Sequence, residues 1–201
     1  MAGTAKQVRH RVPAAERRDA LIHAAIQEFA VGGLHGTPVD RIARRVGVAQ
    51  PYVFSLFPSK RDLFIAAMER GFEMVMELFG ERAEAFKREH PDGYVRKELL
   101  AGLGEGYIQL LAADRTKLMF QLQAYAACDD DTIREHVRAA YGRLERHVHD
   151  LTEATEDEVS EFLSAGMWLN VQAAIGREDL DTACDWMRRR GEADGPAAGQ
   201  P

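Results

Sequence analysis

Apolar residues recur at helical spacing along most of the chain, and no stretch holds the strict alternation that a half-buried strand requires. Residues 13–31 open the series, with Leu21, Ile22, Ala25, Ile26 and Phe29 on one side and Gly32-Gly33 as the stop. Thr37 is then suited to cap a helix, Pro38 to take its first position and Asp40 to place negative charge in its first turn. Val39, Ile42, Ala43 and Val46 carry this helix to Gly47, which supplies a tight turn. Residues 50–57 make about two further turns, with Pro51 tolerated near the start and Ala49 standing where a hydroxyl cap is expected. Ser59 caps a long helix whose apolar face runs through Leu63, Phe64, Ala67, Met68, Phe72, Val75, Met76 and Phe79.

A turn is expected at Pro91-Asp92-Gly93, followed by helices over 94–113 and 116–127. Gly102, Gly104 and Gly106 lower helix propensity in the first of these and point to close packing or a kink. Asp129, Asp130 and Asp131 give the next helix, to about residue 151, an acidic start; a cap is the commoner role for such a cluster than a metal site. Residues 159–175 form another helix, and Leu180, Ala183, Cys184 and Met187 a last one that ends in Arg188, Arg189 and Arg190. The expectation is an all-α chain in four parts: a flexible basic arm over 1–12, a three-helix DNA-binding domain over 13–58, a larger helical body over 59–190 and a disordered tail over 191–201. Two short helices about a tight turn, braced by a third, have the layout of a helix-turn-helix.

Composition sharpens this division. The apolar content of 46% supports a sizeable core, and the net charge of -6 argues against a protein that coats nucleic acid at large. Yet the charge is unevenly placed: up to Asp62 there are ten basic residues against five acidic, and beyond it sixteen against twenty-seven. A basic head on an acidic body is the footprint of a protein whose head alone meets phosphate. On the second short helix, Gln50, Pro51, Tyr52 and Ser55 are candidates for contacts with base edges and sugar-phosphate in a major groove. The alternative is an ordinary amphipathic helix whose outer aromatics pack on a neighbour. Arg44 joins the candidates from the basic head, and Lys60 lies in the first turn of the long helix, where it can grip phosphate. Cys128 and Cys184 are too few for a disulfide framework, and no apolar run is long enough to span a membrane, so a cytoplasmic location is expected. No cofactor is expected. An enzyme is disfavoured as well: His147 and His149 are two apart and point to opposite sides of a helix, better read as solvated, and Cys128 and His136 have no third partner.

Three stretches together resemble the TetR family of transcriptional regulators: A-L-I-H-A-A-I-Q-E-F-A-V-G-G, G-T-P-V-D-R-I-A-R-R-V-G-V and Q-P-Y-V-F-S-L-F-P-S-K-R-D-L-F. The resemblance is close over residues 17–68 and beyond them rests on helix number and order. It implies a homodimer with an N-terminal DNA-binding domain and a C-terminal domain for dimerisation and ligand, usually a repressor released from a pseudo-palindromic operator on double-stranded DNA by a small-molecule effector. It matches Thr37 and Lys60 to phosphate contacts, and Gln50, Pro51, Tyr52, Phe54 and Ser55 to the reading face. The chain departs from the family's usual Tyr-x-x-Phe at Phe54-Ser55-Leu56-Phe57, and Tyr52 stands where a small hydroxyl residue is usual.

The last two long helices match the family's dimer-forming pair, with Phe162, Gly166, Leu169, Ala173, Leu180 and Met187 as the expected interface; alternatively, the stripe packs inside one subunit. A ligand pocket is expected among Phe72, Met76, Phe79, Tyr107, Leu111, Met119, Gln123, Tyr141 and Trp168, any of which can equally be ordinary core. A helical interaction adaptor without DNA affinity is the rival reading; steep salt dependence of duplex binding separates the two.

Overall fold

The computed structural model describes residues 13–177, and among these every regular element is an α-helix. In chain order they are α1 (Ala14–Gly36), α2 (Val39–Val46), α3 (Gln50–Leu56), α4 (Lys60–Glu89), α5 (Arg96–Ala113), α6 (Arg115–Ala126), α7 (Asp131–Thr152) and α8 (Glu156–Ala174). The arm over 1–12, the last expected helix and the tail lie outside the described residues.

α1 is broken near its end, at Gly33, where φ of 61° and ψ of -172° take the chain out of the helix. Thr37 does not cap α2. Its hydroxyl turns back to donate to the Glu28 carbonyl at 3.1 Å, and Pro38 takes the N-cap position with no side-chain bond. α2 ends at Gly47, left-handed at φ 71°, whose N–H reaches the carbonyls of Ala43 and Arg44. Ala49 leaves α3 without a side-chain cap. Ser59 caps α4, accepting the Asp62 N–H at 3.1 Å and donating to the Asp62 carboxylate at 2.6 Å.

An ion-pair clamp holds α2 on α1. Glu28 is buried on the core side of α1, and Arg45 donates to its Oε1 through Nε at 2.9 Å and Nη2 at 2.7 Å. Arg41 Nη2 lies 2.9 Å from the other carboxylate oxygen. Two cations of the basic head are therefore committed to the fold.

α4, roughly 45 Å long at the usual helical rise, runs from the small N-terminal bundle through the whole body. Behind it, Phe29 of α1, Phe64 of α4 and Phe120 of α6 form one aromatic cluster, with ring centroids 4.9, 5.4 and 6.3 Å apart. α6 thus packs its core face against the N-terminal head as well as the body. α5 lies close on α4, where a Cβ on Gly106 would stand 2.8 Å from Arg82 Cγ. α7 is tied to the start of α4 by Arg61, which reaches Asp130 at 3.3 Å and the Thr132 hydroxyl at 3.3 Å. Its histidines are not simply solvated: His147 donates through Nε2 to the Met76 carbonyl at 2.9 Å, and His149 through Nδ1 to the Ala154 carbonyl at 2.7 Å.

Candidate nucleic-acid interface and cavity

α3 buries Val53 and, at its end, Phe57, over which the Arg18 guanidinium lies 5.0 Å from the ring centroid. With those residues inward, Gln50, Pro51, Tyr52, Phe54 and Ser55 are all exposed. Tyr52 and Phe54 keep 37% and 40% of their surface in solvent, which makes two aromatic rings on a seven-residue helix a contact surface rather than core. Ser55 donates to the Tyr52 carbonyl at 2.6 Å, so its hydroxyl proton is engaged while its oxygen stays open to a donor. Arg44 projects to solvent beside Asp40, its i,i+4 ion-pair partner at 2.9 Å. Lys60 donates to the His35 carbonyl at 3.2 Å, which holds the ammonium between the α1–α2 turn and the start of α4; partial burial lowers its pKa. Thr37 stands apart from this set. It is buried, and its hydroxyl serves the α1 backbone, leaving no side-chain group for phosphate.

A cavity of about 1020 Å³ lies between α4, α5, α6, α7 and α8. Of the expected lining, Phe72, Phe79, Tyr107, Leu111, Tyr141 and Trp168 border it. Met76, Met119 and Gln123 do not. They are on the right helices, each next to a lining residue (Val75, Phe120 and Ala124), but are turned to another side of the helix, and the side-chain oxygen of Gln123 is directed at Gly33. Of the cavity's polar group the sequence reading had only Tyr107, and it missed Gln121, Tyr125 and Asn170. Tyr107 Oη donates to Asn170 Oδ1 at 2.7 Å and lies 3.1 Å from Gln121 Oε1, while Gln121 Nε2 donates to Tyr125 Oη at 2.9 Å. Burial pushes the Tyr107 hydroxyl well above its ordinary pKa, against the Asn170 hydrogen bond, and pushes Tyr125 up to about 12. Both are neutral phenols at physiological pH. A polar Asn170 at a mid-helix position among apolar neighbours is the signal that could have found the cluster.

The stripe expected at a dimer interface is turned inward for most of its length. Phe162 packs edge-to-face on Phe79 at 5.5 Å, Leu169 is buried, Gly166 approaches the Tyr107 ring, and Ala173 is partly buried against the core. Leu180 and Met187 lie outside the described residues. The open side of α8 instead carries Trp168, Val171 and, just past its end, Ile175, exposed by 39%, 44% and 66%. Among the described residues no group of three or more His, Cys, Asp or Glu side chains is placed to hold a metal ion, and no helix is long and apolar enough to cross a membrane.

Residues 21–67 match the family model of bacterial regulatory proteins of the tetR family. Over 61 residues the chain is 39% identical to the transcriptional activator FasR of Mycolicibacterium smegmatis, a match that covers 30% of this chain and 28% of that one. The chain thus spans less than a third of that relative. Over almost its full length the fold is that of a TetR-like regulator from Rhodococcus sp. RHA1, with a TM-score of 0.70 at 23% identity, covering 92% of this chain and 100% of the other. FadR of Bacillus subtilis, solved with stearoyl-CoA, aligns with a TM-score of 0.68 at 17% identity, over 83% of this chain and 95% of that one. The family match falls on the helices that include the exposed face of α3, so residues 21–67 are similar to bacterial regulatory proteins of the tetR family, and the body continues in the fold of TetR-like proteins.

Proposed function

We propose that the chain is a transcriptional regulator that binds a pseudo-palindromic operator as a homodimer and leaves it when a small molecule enters the body cavity. The observation that carries this reading is the double role of α6. Phe120 both lines the cavity and stacks in the cluster with Phe29 and Phe64, so a ligand that displaces α6 disturbs the packing that orients α1 and the start of α4. The ligand acts only to the extent that it binds the DNA-competent and released arrangements unequally. FadR of Bacillus subtilis, which shares the fold, was solved in complex with stearoyl-CoA, and this supports a small-molecule ligand for the present chain.

Gln50, Pro51, Tyr52, Phe54 and Ser55 read the major groove, and Arg44 and Lys60 meet the flanking phosphates. The second copy covers the exposed side of α8 around Val171 and Ile175. Such a dimer sets its two α3 helices one helical turn of DNA apart, about 34 to 36 Å, or a multiple of it. The setting is cytoplasmic, where DNA and effector are both met. Selection of bound duplexes from a random pool tests the proposal: enrichment of two inverted half-sites at fixed spacing is expected, and a pool without enrichment, or a lone half-site, overturns it.

A further inference from the structure

The cavity carries information about its ligand in what surrounds it and in what is missing from its depth. We infer that it takes an uncharged, mainly apolar molecule, whose polar group hydrogen-bonds to the cluster of Tyr107, Asn170, Gln121 and Tyr125. The inference rests on the reading of this cavity as the effector site.

Three observations converge on it. The volume, about 1020 Å³, is at the upper end of the roughly 300 to 1,000 Å³ that encloses drug-sized ligands, so much more than a small polar head must be accommodated. Second, among the described residues no fully buried charged side chain lies at the cavity. Among the described residues the one buried charged side chain is Glu28, in the head. The charged groups that border the cavity, Lys97, Lys117, Glu98, Glu105, Glu158 and Glu161, are all exposed or half-exposed, four carboxylates against two ammoniums. Glu158 is already held by Arg96 and by the Thr155 N–H. Among the described residues a carboxylate or phosphate at the inner wall would find no buried cation, and an ammonium no buried carboxylate; either loses hydration without a counter-charge. The rings at this wall pair edge-to-face with one another, Phe79 with Tyr107 at 6.1 Å and with Phe162 at 5.5 Å, instead of forming a cage for a cation.

Third, the neutral cluster has spare capacity. The Tyr107 hydroxyl has one proton and faces two amide oxygens. One amide oxygen is therefore open to a ligand hydroxyl, and Tyr125, whose oxygen accepts from Gln121, keeps its own proton for a ligand oxygen; if the Gln121 amide is turned over, Tyr125 donates to it and the second Gln121 N–H is offered to a ligand carbonyl instead. In both arrangements the matching partner is an uncharged hydroxyl, ester or ketone.

Equilibrium dialysis of the full chain against four radiolabelled probes with one tail, 1-dodecanol, dodecanoate, dodecyltrimethylammonium and dodecanoyl-CoA, tests this. 1-Dodecanol is expected to bind about tenfold or more tighter than each charged probe, and Gln121→Met, which removes the open amide oxygen, to weaken it roughly fivefold, the worth of one neutral hydrogen bond. If Gln121→Met fails to fold, Gln121→Leu probes the same acceptor, and the comparison of heads needs only the natural chain. A charged probe that binds as tightly as the alcohol overturns this inference and leaves the effector cavity standing. Undiminished alcohol binding in the folded Gln121 variants removes the cluster from recognition. If no probe binds, the effector reading of the cavity falls with the inference.

Discussion

The side-chain oxygen of Gln123 stands 2.5 Å from the point where a Cβ on Gly33 would be. α6 therefore presses on the kink that turns the chain from α1 toward α2, and the kink has a backbone conformation that is essentially restricted to glycine. Gly33→Ala adds both strain and a clash. Stability is expected to fall by about 1 to 3 kcal/mol, read as a lower midpoint of urea unfolding at unchanged slope. An unchanged midpoint would mean that α6 gives way freely and transmits little to the head.

Much of this architecture was legible in the hydrophobic period, because a helix that must bury one face repeats its apolar residues every three or four positions. Thr37 and α8 mark where that signal stops. Thr37 has the chemistry of a cap, but the nearest acceptor in three dimensions is the Glu28 carbonyl, nine residues away, and a local pattern does not contain it. α8 is apolar on two sides. The Phe162–Leu169 side meets Phe79 and Tyr107 of its own chain, Val171 and Ile175 on another side are exposed, and spacing alone does not say which neighbour each one has. The outward face of α3 was clearer because Val53 and Phe57 had to turn inward, leaving Tyr52 and Phe54 no core to enter.

Glu28 is a buried carboxylate answered by two half-exposed guanidiniums, of Arg41 and Arg45. Glu28→Gln keeps the shape and removes the charge. Exposure of the arginines screens the pair, so the expected loss is about 1 to 2 kcal/mol, smaller than for a fully buried pair. Because the clamp orients α2 beneath α3, operator affinity should fall with stability, measured by urea unfolding and by fluorescence anisotropy on one labelled duplex. Loss of neither would make the clamp dispensable.

The residues of the interface separate by what they contact. Lys60→Ala is expected to weaken binding to all duplexes alike and to make the salt dependence shallower by about one phosphate. Tyr52→Ala and Gln50→Ala should instead change which half-sites are preferred, by roughly 1 to 3 kcal/mol at the bases they read. Parallel selections with the three variants distinguish the two outcomes; uniform loss from Tyr52→Ala would reassign that ring to the backbone.

Val171 lies at the middle of the exposed strip on α8, away from the cavity wall. Val171→Arg is expected to give a folded monomer by sedimentation velocity, with helical circular dichroism retained. Affinity for the two-site operator should drop by roughly 100-fold or more, since the second reader is no longer tethered to the first, while affinity for a single half-site is unchanged. A dimer that persists would locate the interface elsewhere.

The cavity's phenols set an alkaline limit on the fold. Burial raises Tyr125 to about 12, against the opposing hydrogen bond from Gln121, and Tyr107 is raised in the same direction. In the unfolded chain both return to a pKa of roughly 10. The folded state thus favours the neutral phenol, and this contribution is whole below pH 10 or so and is lost as pH rises through the folded values. Melting temperature should stay level, as far as these groups are concerned, from neutral pH to about 9 and decline from about 10 upward. Tyr125→Phe, which has no proton to lose, should show a shallower decline than the natural chain. Equal slopes would mean that the Tyr125 hydroxyl titrates as it does in water and that the cluster at the inner wall is open to solvent.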